Sequence, residues 1–285
     1  MNNQTSWQQL ATFLDEVERA KDRLDFRPDE ACFYRGHRSA DFELLPTLQR
    51  HCQKVGIEQD LKAVQDLEGD LFFEFQARSS QLVPQGINDW DLLITMRHHG
   101  VATRLLDWTE TLGVALYFAL DGATDADRPR LWLLNPWRLN EENWHGLRDL
   151  VLPKYLGRYR DRVNYEDYGE FLQNYEPPGM ELARPVTIYP NHLNSRLHAQ
   201  RGYFTMHGDL SDSLDLLNPD CVGFVDIPED VVEPARRFLS VAGIDDYLMF
   251  PDLDGLARDL HRKTGINRAR PAGGIHSQQA RGAPA

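Results

Sequence analysis

Residues 186–227 hold three short apolar runs: VTIY at 186–189, GYFTMH at 202–207 and CVGFVDI at 221–227. Each is rich in β-branched or aromatic side chains and is bounded by Pro, Asn, Gly, Asp or Ser, which reads as a strand. They follow one another without the regular helical crossovers that parallel strands require. This decides the fold class as α+β, a mixed or antiparallel sheet core with flanking helices, over a doubly wound parallel sheet.

Working outward, RLWLLN at 130–135 and Ala31–Gly36 read as further strands, the latter after a turn at Arg27–Pro28. Trp7, Leu10, Leu14 and Val17 recur at helical spacing over 6–22, with Thr5 or Ser6 as N-cap. Residues 57–80 give the longest helical signal, with Leu61, Val64, Leu71, Phe72 and Phe75 on one face. Asn88 caps a helix over WDLLITMRHH that Gly100 ends, and Thr109 caps a buried helix over TLGVALYFAL. HRSADFELLPTLQR at 37–50 reads as a loop. A last pair of helices runs from Pro228 to about Val241 and through PDLDGLARDL. Residues 1–266 thus form one domain with an insertion at about 140–185, and the tail 267–285 reads as disordered.

The 285 residues carry 31 Lys and Arg against 44 Asp and Glu, a net charge of −13. So negative a surface opposes non-specific nucleic-acid binding, which depends on Lys and Arg releasing counterions. Cys32, Cys52 and Cys221 are far apart and form no CxxC pair, so neither a disulfide framework nor a thiolate zinc site is expected. Cys32 reads as a core thiol. The polar N-terminus lacks an export core, and no apolar run nears the ~20 residues of a membrane helix. The expectation is a soluble, cytoplasmic protein with no membrane contact.

Three segments concentrate candidate chemistry. In FYRGH (33–37), Phe33, Arg35 and His37 share one strand face. Arg35 is either a phosphate clamp, because a guanidinium grips two oxygens in a fixed fork, or a structural partner for a carboxylate. Gly36 permits a bend or the close approach of a ligand. In MRHHGVATRLLDWTETLGVALYFAL (96–120), a polar loop between two helices gathers His98, His99, Thr103, Arg104, Asp107 and Thr109. Such density faces a cleft or satisfies itself, with Arg104 and Asp107 as one possible internal pair. His98 and His99 are adjacent and do not chelate one metal together, and no metal is predicted. In NSRLHAQRGYFTMHGD (194–209), Gln200 is a substrate contact or a loop brace and cannot be a base. No GxxxxGK[ST], GxSxG or GxGxxG pattern occurs.

FYRGH, LLPTLQR, FFEFQAR and MRHHGVATRLLDWTETLGVALYFAL, in that order, resemble the FRG domain family, named for its Phe/Tyr-Arg-Gly motif. SRLHAQRGYFTMH and GIDDYLMFPDLDGLARDL are similar to the C-terminal half of longer members. YRG at 34–36 is also similar to the first motif of ADP-ribosyltransferases, and this second likeness implies an ADP-ribosyltransferase-like core. It further implies that Arg35 grips the pyrophosphate of NAD and that His37 or His98 contacts ribose. Gln200 then stands where those enzymes place a catalytic Glu, and a neutral amide stabilises a developing cation far less than a carboxylate does. Asp107 or Glu110 would have to supply that charge.

The expected cleft therefore has Arg35, His37, Asp107, Glu110 and Gln200 as catalytic candidates. Arg35, Gly36, His98, His99, Thr103 and Arg104 are its ligand-binding candidates. The resemblance implies a nucleotide ligand, NAD first, and as activity ADP-ribose transfer or NAD cleavage by a bacterial toxin or phage-defence effector. Two alternatives stand beside it. One is a non-catalytic module that recognises a ligand or protein partner. The other is a metal-dependent phosphodiester hydrolase using His37, His98 and Asp107.

Overall fold

The computed structural model describes residues 5–124, 126–144, 146–153, 156, 168–169, 172, 184–191, 195–208 and 211–265. Its centre is a six-stranded sheet built from β1 (Phe33–His37), β2 (Leu105–Thr109), β3 (Arg130–Leu134), β4 (Val186–Ile188), β5 (Gly202–Met206) and β6 (Val222–Asp226). The strand order is β4-β5-β2-β1-β3-β6, and every neighbouring pair is antiparallel. The α+β reading is borne out.

The ladders are unequal. β1 pairs with β3 over five residues and β2 with β5 over five, whereas β1 and β2 share the single pair Tyr34↔Thr109. The sheet is thus two three-stranded halves joined at one rung.

Each half is covered by its own helices. Helices α1 (Ser6–Asp22), α5 (Leu112–Leu120) and α9 (Glu229–Val241) bury Phe13, Val17, Leu116, Ala119, Val231 and Ala235 against Tyr34, Leu131 and Leu133. Helices α3 (Leu61–Ser79) and α4 (Asp89–His98) bury Phe72, Trp90, Leu93 and Met96 against Leu105, Phe204, Met206, Val186 and Ile188. The opposite face packs Phe33, Leu106, Trp108, Trp132 and Leu134 under Leu139 of α6 (Pro136–Asn143) and Leu214 of α8 (Leu214–Leu217). α2 (Thr47–Val55), α7 (Ser195–Ala199), α10 (Asp246–Met249) and α11 (Leu253–Lys263) complete the described elements.

Local chemistry explains most boundaries. The Thr5 amide donates to the Gln8 side chain at 2.7 Å, half of a capping box that starts α1. Asn88 accepts from the Asp91 amide at 2.9 Å and starts α4. Gly100, at φ +81°, follows the end of that helix in the left-handed region.

Three sequence expectations need correction. Residues 105–109 are a strand, not part of a loop, so the polar side chains of 103–109 are fixed by sheet pairing. Residues 47–55 form α2, started at Pro46 and ended at Gly56 with φ +77°, where a loop was expected. The helix after β2 begins at Leu112 with Thr111 as N-cap, and Thr109 instead accepts from the Thr111 amide at 3.0 Å. Of the expected 140–185 insertion, Val151 bridges Ile188, and Tyr168 and Leu172 are buried on the α3/α4 side. The rest of its Trp- and Tyr-rich stretch lies largely outside the described residues, as does the 267–285 tail. Cys32, Cys52 and Cys221 are all buried free thiols, and burial pushes the Cys32 thiol up to about 12. Among the described residues no helix is long and apolar enough to cross a membrane.

Candidate functional site

Where β1 and β2 part below their single rung, a cavity of about 710 Å³ opens. Its walls come from β1, β2, β5, α2, α4, α5 and α7, the places where the helical covers of the two half-sheets fail to meet. Among the described residues five arginines line it, Arg35, Arg38, Arg50, Arg97 and Arg196, against the two carboxylates of Asp107 and Asp121. This cationic bias sits inside a chain of net charge −13.

Arg35 spans the parted strands. Its Nη1 donates to the Asp107 carbonyl at 2.6 Å, a main-chain acceptor that a continuous β1–β2 ladder would otherwise engage. The same nitrogen lies 3.4 Å from the Asp107 carboxylate. Its Nε donates to His37 Nε2 at 2.9 Å. An arginine Nε always carries a proton, so His37 Nε2 accepts and its proton sits on Nδ1. Nδ1 then donates to the Phe42 carbonyl at 3.2 Å, and the Trp132 indole nitrogen 3.1 Å from it is a close approach of two donors, not a hydrogen bond. Burial and then the Arg35 charge hold His37 down at about 3. His37 is neutral with both nitrogens engaged. It positions Arg35 and has no lone pair left for base catalysis, which corrects its place among the catalytic candidates.

Asp107 is the floor of the cavity. Arg97 grips its carboxylate from Nε, at 3.2 and 3.1 Å to the two oxygens, and from Nη2. Arg97 Nη1 donates to Thr47 Oγ1 at 3.0 Å, and Arg50 Nη2 lies 3.2 Å from the same hydroxyl. Burial alone would raise the Asp107 carboxyl, but Arg97 and Arg35 outweigh it and hold the group well below the usual carboxylate range. Its side chain is still 44% exposed, open to the cavity, whereas those of Arg35 and Arg97 are 16% exposed. Burial, with Arg97 and Arg50 nearby, lowers Arg35 to about 10 despite Asp107, so it stays charged at pH 7.

Two more residues come from the far half of the chain. Gln200 Nε2 donates to the Met249 carbonyl at 2.8 Å, and the Gln200 carbonyl accepts from Thr109 Oγ1 at 2.7 Å. Arg196 Nη1 approaches the His98 carbonyl at 3.4 Å, and its guanidinium lies 4.3 Å from the centre of the Phe250 ring. Burial, then Arg196, lower His98 to about 4.

The structure therefore brings Arg35, Gly36, His37, His98, Asp107, Thr109 and Gln200 to one cavity. It does not bring four other candidates there. Arg104 is buried on the α3 side, where its Nε donates to Glu68 at 2.7 Å and its Nη1 to the His207 carbonyl at 3.1 Å. It does not pair with Asp107. Thr103 is 1% exposed and gives its carbonyl to the Leu48 amide, and His99 caps the end of α4. Glu110 lies outside the lining, 3.4 Å from both Arg201 and the Tyr203 hydroxyl. Gly36 does line the cavity, but its missing side chain serves packing. A Cβ there would stand 1.9 Å from the Ala115 carbonyl oxygen of α5.

The residues that sequence reasoning missed are Arg97, Arg50, Thr47 and Arg196. Arg97 sits in the quoted MRHHG motif, and the pair Thr47 and Arg50 shares one helix face at three-residue spacing once α2 is recognised. The hydrolase trio also fails to form a ligand set. His37 has no free nitrogen, Asp107 is held by two arginines, and among the described residues no three His, Cys, Asp or Glu side chains gather as metal ligands.

An α+β protein with an arginine-lined cleft at a split in its sheet is the class that fold and site define. Residues 30–128 match the family model for the FRG domain, and the chain contains an FRG domain over that segment. The match runs from the residues before β1 to the loop before β3, so it includes Arg35, Arg50, Arg97 and Asp107 and excludes Arg196 and Gln200. Among curated proteins and among solved structures there is no match.

Proposed function

We propose that the cavity binds a nucleotide through its phosphates, with NAD or an ADP-ribose-bearing relative as the ligand class. The observation that carries this reading is the gathering of the Arg35, Arg50 and Arg97 guanidiniums around the one carboxylate of Asp107. Guanidiniums recognise phosphate oxygens in pairs, and a cavity of this volume falls in the ~300–1,000 Å³ range of small-molecule sites. Phe42, Phe118 and Tyr203 supply apolar wall for a base or ribose.

ADP-ribose transfer is the chemistry this binding would serve, and the same proposal extends to an ADP-ribosyltransferase-like core and a toxin or defence role. It draws support from an ionised Asp107 that is open to the cavity. In such a reaction the bond from ribose to nicotinamide breaks, nicotinamide leaves with the electron pair, and a nearby anion steadies the ribosyl cation. An acceptor nucleophile (water or a side chain) bonds to the ribose carbon and gives up its proton. Asp107 could do so only after loosening from Arg97 or Arg35. Gln200 contributes no charge, and Glu110 stands off the lining.

Thermal unfolding with NAD, ADP-ribose and ATP tests the binding step. A ligand at 100 times its dissociation constant adds about 2.7 kcal/mol, a shift of several degrees. Arg35→Ala is expected to abolish the shift, and the reading fails if none of the three ligands moves the wild-type midpoint. Nicotinamide release from NAD by the wild type, absent in Arg35→Ala, separates an enzyme from a non-catalytic recognition module.

A further inference from the structure

The inner wall carries a charge imbalance that bears on which phosphate groups fit. Arg35 and Arg97 share Asp107. Arg50 stands beside them with the Thr47 hydroxyl as its hydrogen-bond partner and, among the described residues, no carboxylate within ion-pair distance. Although Arg50 is solvent-exposed on α2, desolvation against the cavity wall and then the Arg97 charge lower its protonation, as Arg97 and Arg50 lower that of Arg35. His37 and His98 are neutral at pH 7 and add nothing. The outer charges are matched or lie apart: Arg38 is 3.7 Å from Asp127, Asp121 is 3.3 Å from Arg262, and Arg196 rests on the Phe250 ring. Three guanidiniums and one carboxylate leave two positive charges unanswered.

We propose that Arg35, Arg50 and Arg97 form a subsite selective for a doubly charged phosphate group, with Arg50 as the specificity-determining residue and Asp107 as a resident counter-ion that weakens it. The ligand class is a phosphomonoester or the paired phosphates of a pyrophosphate diester, in preference to a singly charged phosphodiester. The inference rests on the nucleotide-binding reading above. A dianion neutralises the inner wall. A monoanion leaves one guanidinium uncompensated in a partly desolvated place, where charge–charge terms are larger than in water. The preference should follow the net charge of the wall: lower when a guanidinium is removed, higher when the carboxylate is removed.

Calorimetric titration of the full chain at pH 8 with adenosine 5′-monophosphate and with its phosphate methyl ester tests this. The two differ by one methyl group and one charge, since the second phosphate ionisation lies near pH ~6. The wild type is expected to bind the monophosphate about tenfold more tightly or better. Arg50→Gln should bring the ratio toward one, mainly by weakening the monophosphate, and Asp107→Asn should raise it. If Asp107→Asn does not fold, Arg50→Gln decides alone, because Arg50 is exposed on α2 and belongs to no ion pair among the described residues. Wild type that binds both ligands equally, or an Arg50→Gln ratio equal to wild type, overturns the charge-selection inference while leaving nucleotide binding intact. Wild type that binds neither overturns this inference, and the nucleotide reading then stands or falls on the thermal shifts with NAD, ADP-ribose and ATP.

Discussion

At the scale of single residues, two arginines in one motif have opposite fates. Arg97 and Arg104 flank the same short connection, yet Arg97 turns toward the cavity and Arg104 is locked to Glu68 in the buried interior. Side chains of Arg104 and Glu68 are each 3% exposed, and the Tyr168 hydroxyl adds a third partner to the carboxylate. Removing one member of such a pair strands the other charge. Glu68→Gln is therefore expected to cost about 3–5 kcal/mol in urea unfolding while leaving ligand affinity at the cavity unchanged. A loss of affinity at intact stability would place Arg104 back among the binding groups. From the string alone Arg97 and Arg104 are equivalent cations near a turn. Only their tertiary partners, Asp107 on β2 for Arg97 and Glu68 on α3 for Arg104, tell them apart, and such partners leave no local signal.

At the scale of elements, legibility follows how much of a segment's order is local. β3 and β6 are β-branched or aliphatic runs, and α1 has both its apolar spacing and its cap, so all three are readable. β2 is not, because Asp107 and Thr109 interrupt its apolar pattern just after Arg104, and these polar groups are satisfied by distant partners such as Arg97, the Gln200 carbonyl and Glu68. α2 is short and polar and begins on a proline, so it resembles the loop before it. The YRG motif shows the same division. Arg35 was legible as a clamp or a carboxylate's partner, whereas the reason for Gly36 lies far along the chain at Ala115: α5 lies directly against β1. Gly36→Ala would drive a methyl group into helix backbone that has no rotamer to yield, so a loss of about 3 kcal/mol or more is expected. The unfolding midpoint measures it, and an unchanged midpoint would mean that α5 can move away from the strand.

Across the whole molecule, buried neutral histidines tie stability to pH. His37 and His207, both at or below 5% exposed, are lowered to about 3, chiefly by burial and then by neighbouring arginines. In the unfolded chain each takes up a proton near pH ~6.5. Between that value and about 4 the unfolded state binds more protons than the folded one, so stability must fall as pH falls. Each histidine contributes a slope of about 1.4 kcal/mol per pH unit once the pH is well below ~6.5. Asp107 adds to the loss only below pH ~4, because its folded form stays ionised there while its unfolded form does not. Denaturant midpoints at pH 7, 6 and 5 should decline with increasing steepness. A flat profile over that interval would show that the two imidazoles are already charged in the native protein.

The lone rung between Tyr34 and Thr109 also bears on how small a working piece of this protein can be. Segment 30–128 supplies β1 and β2 but neither of the strands that zip them in place, since β3 begins at Arg130 and β5 at Gly202. Cut out by itself, that segment would hold two ribbons fastened at one stitch, with its cluster of guanidiniums spread over parts no longer obliged to face each other. The stretch that defines kinship is thus shorter than the stretch that makes a solid object.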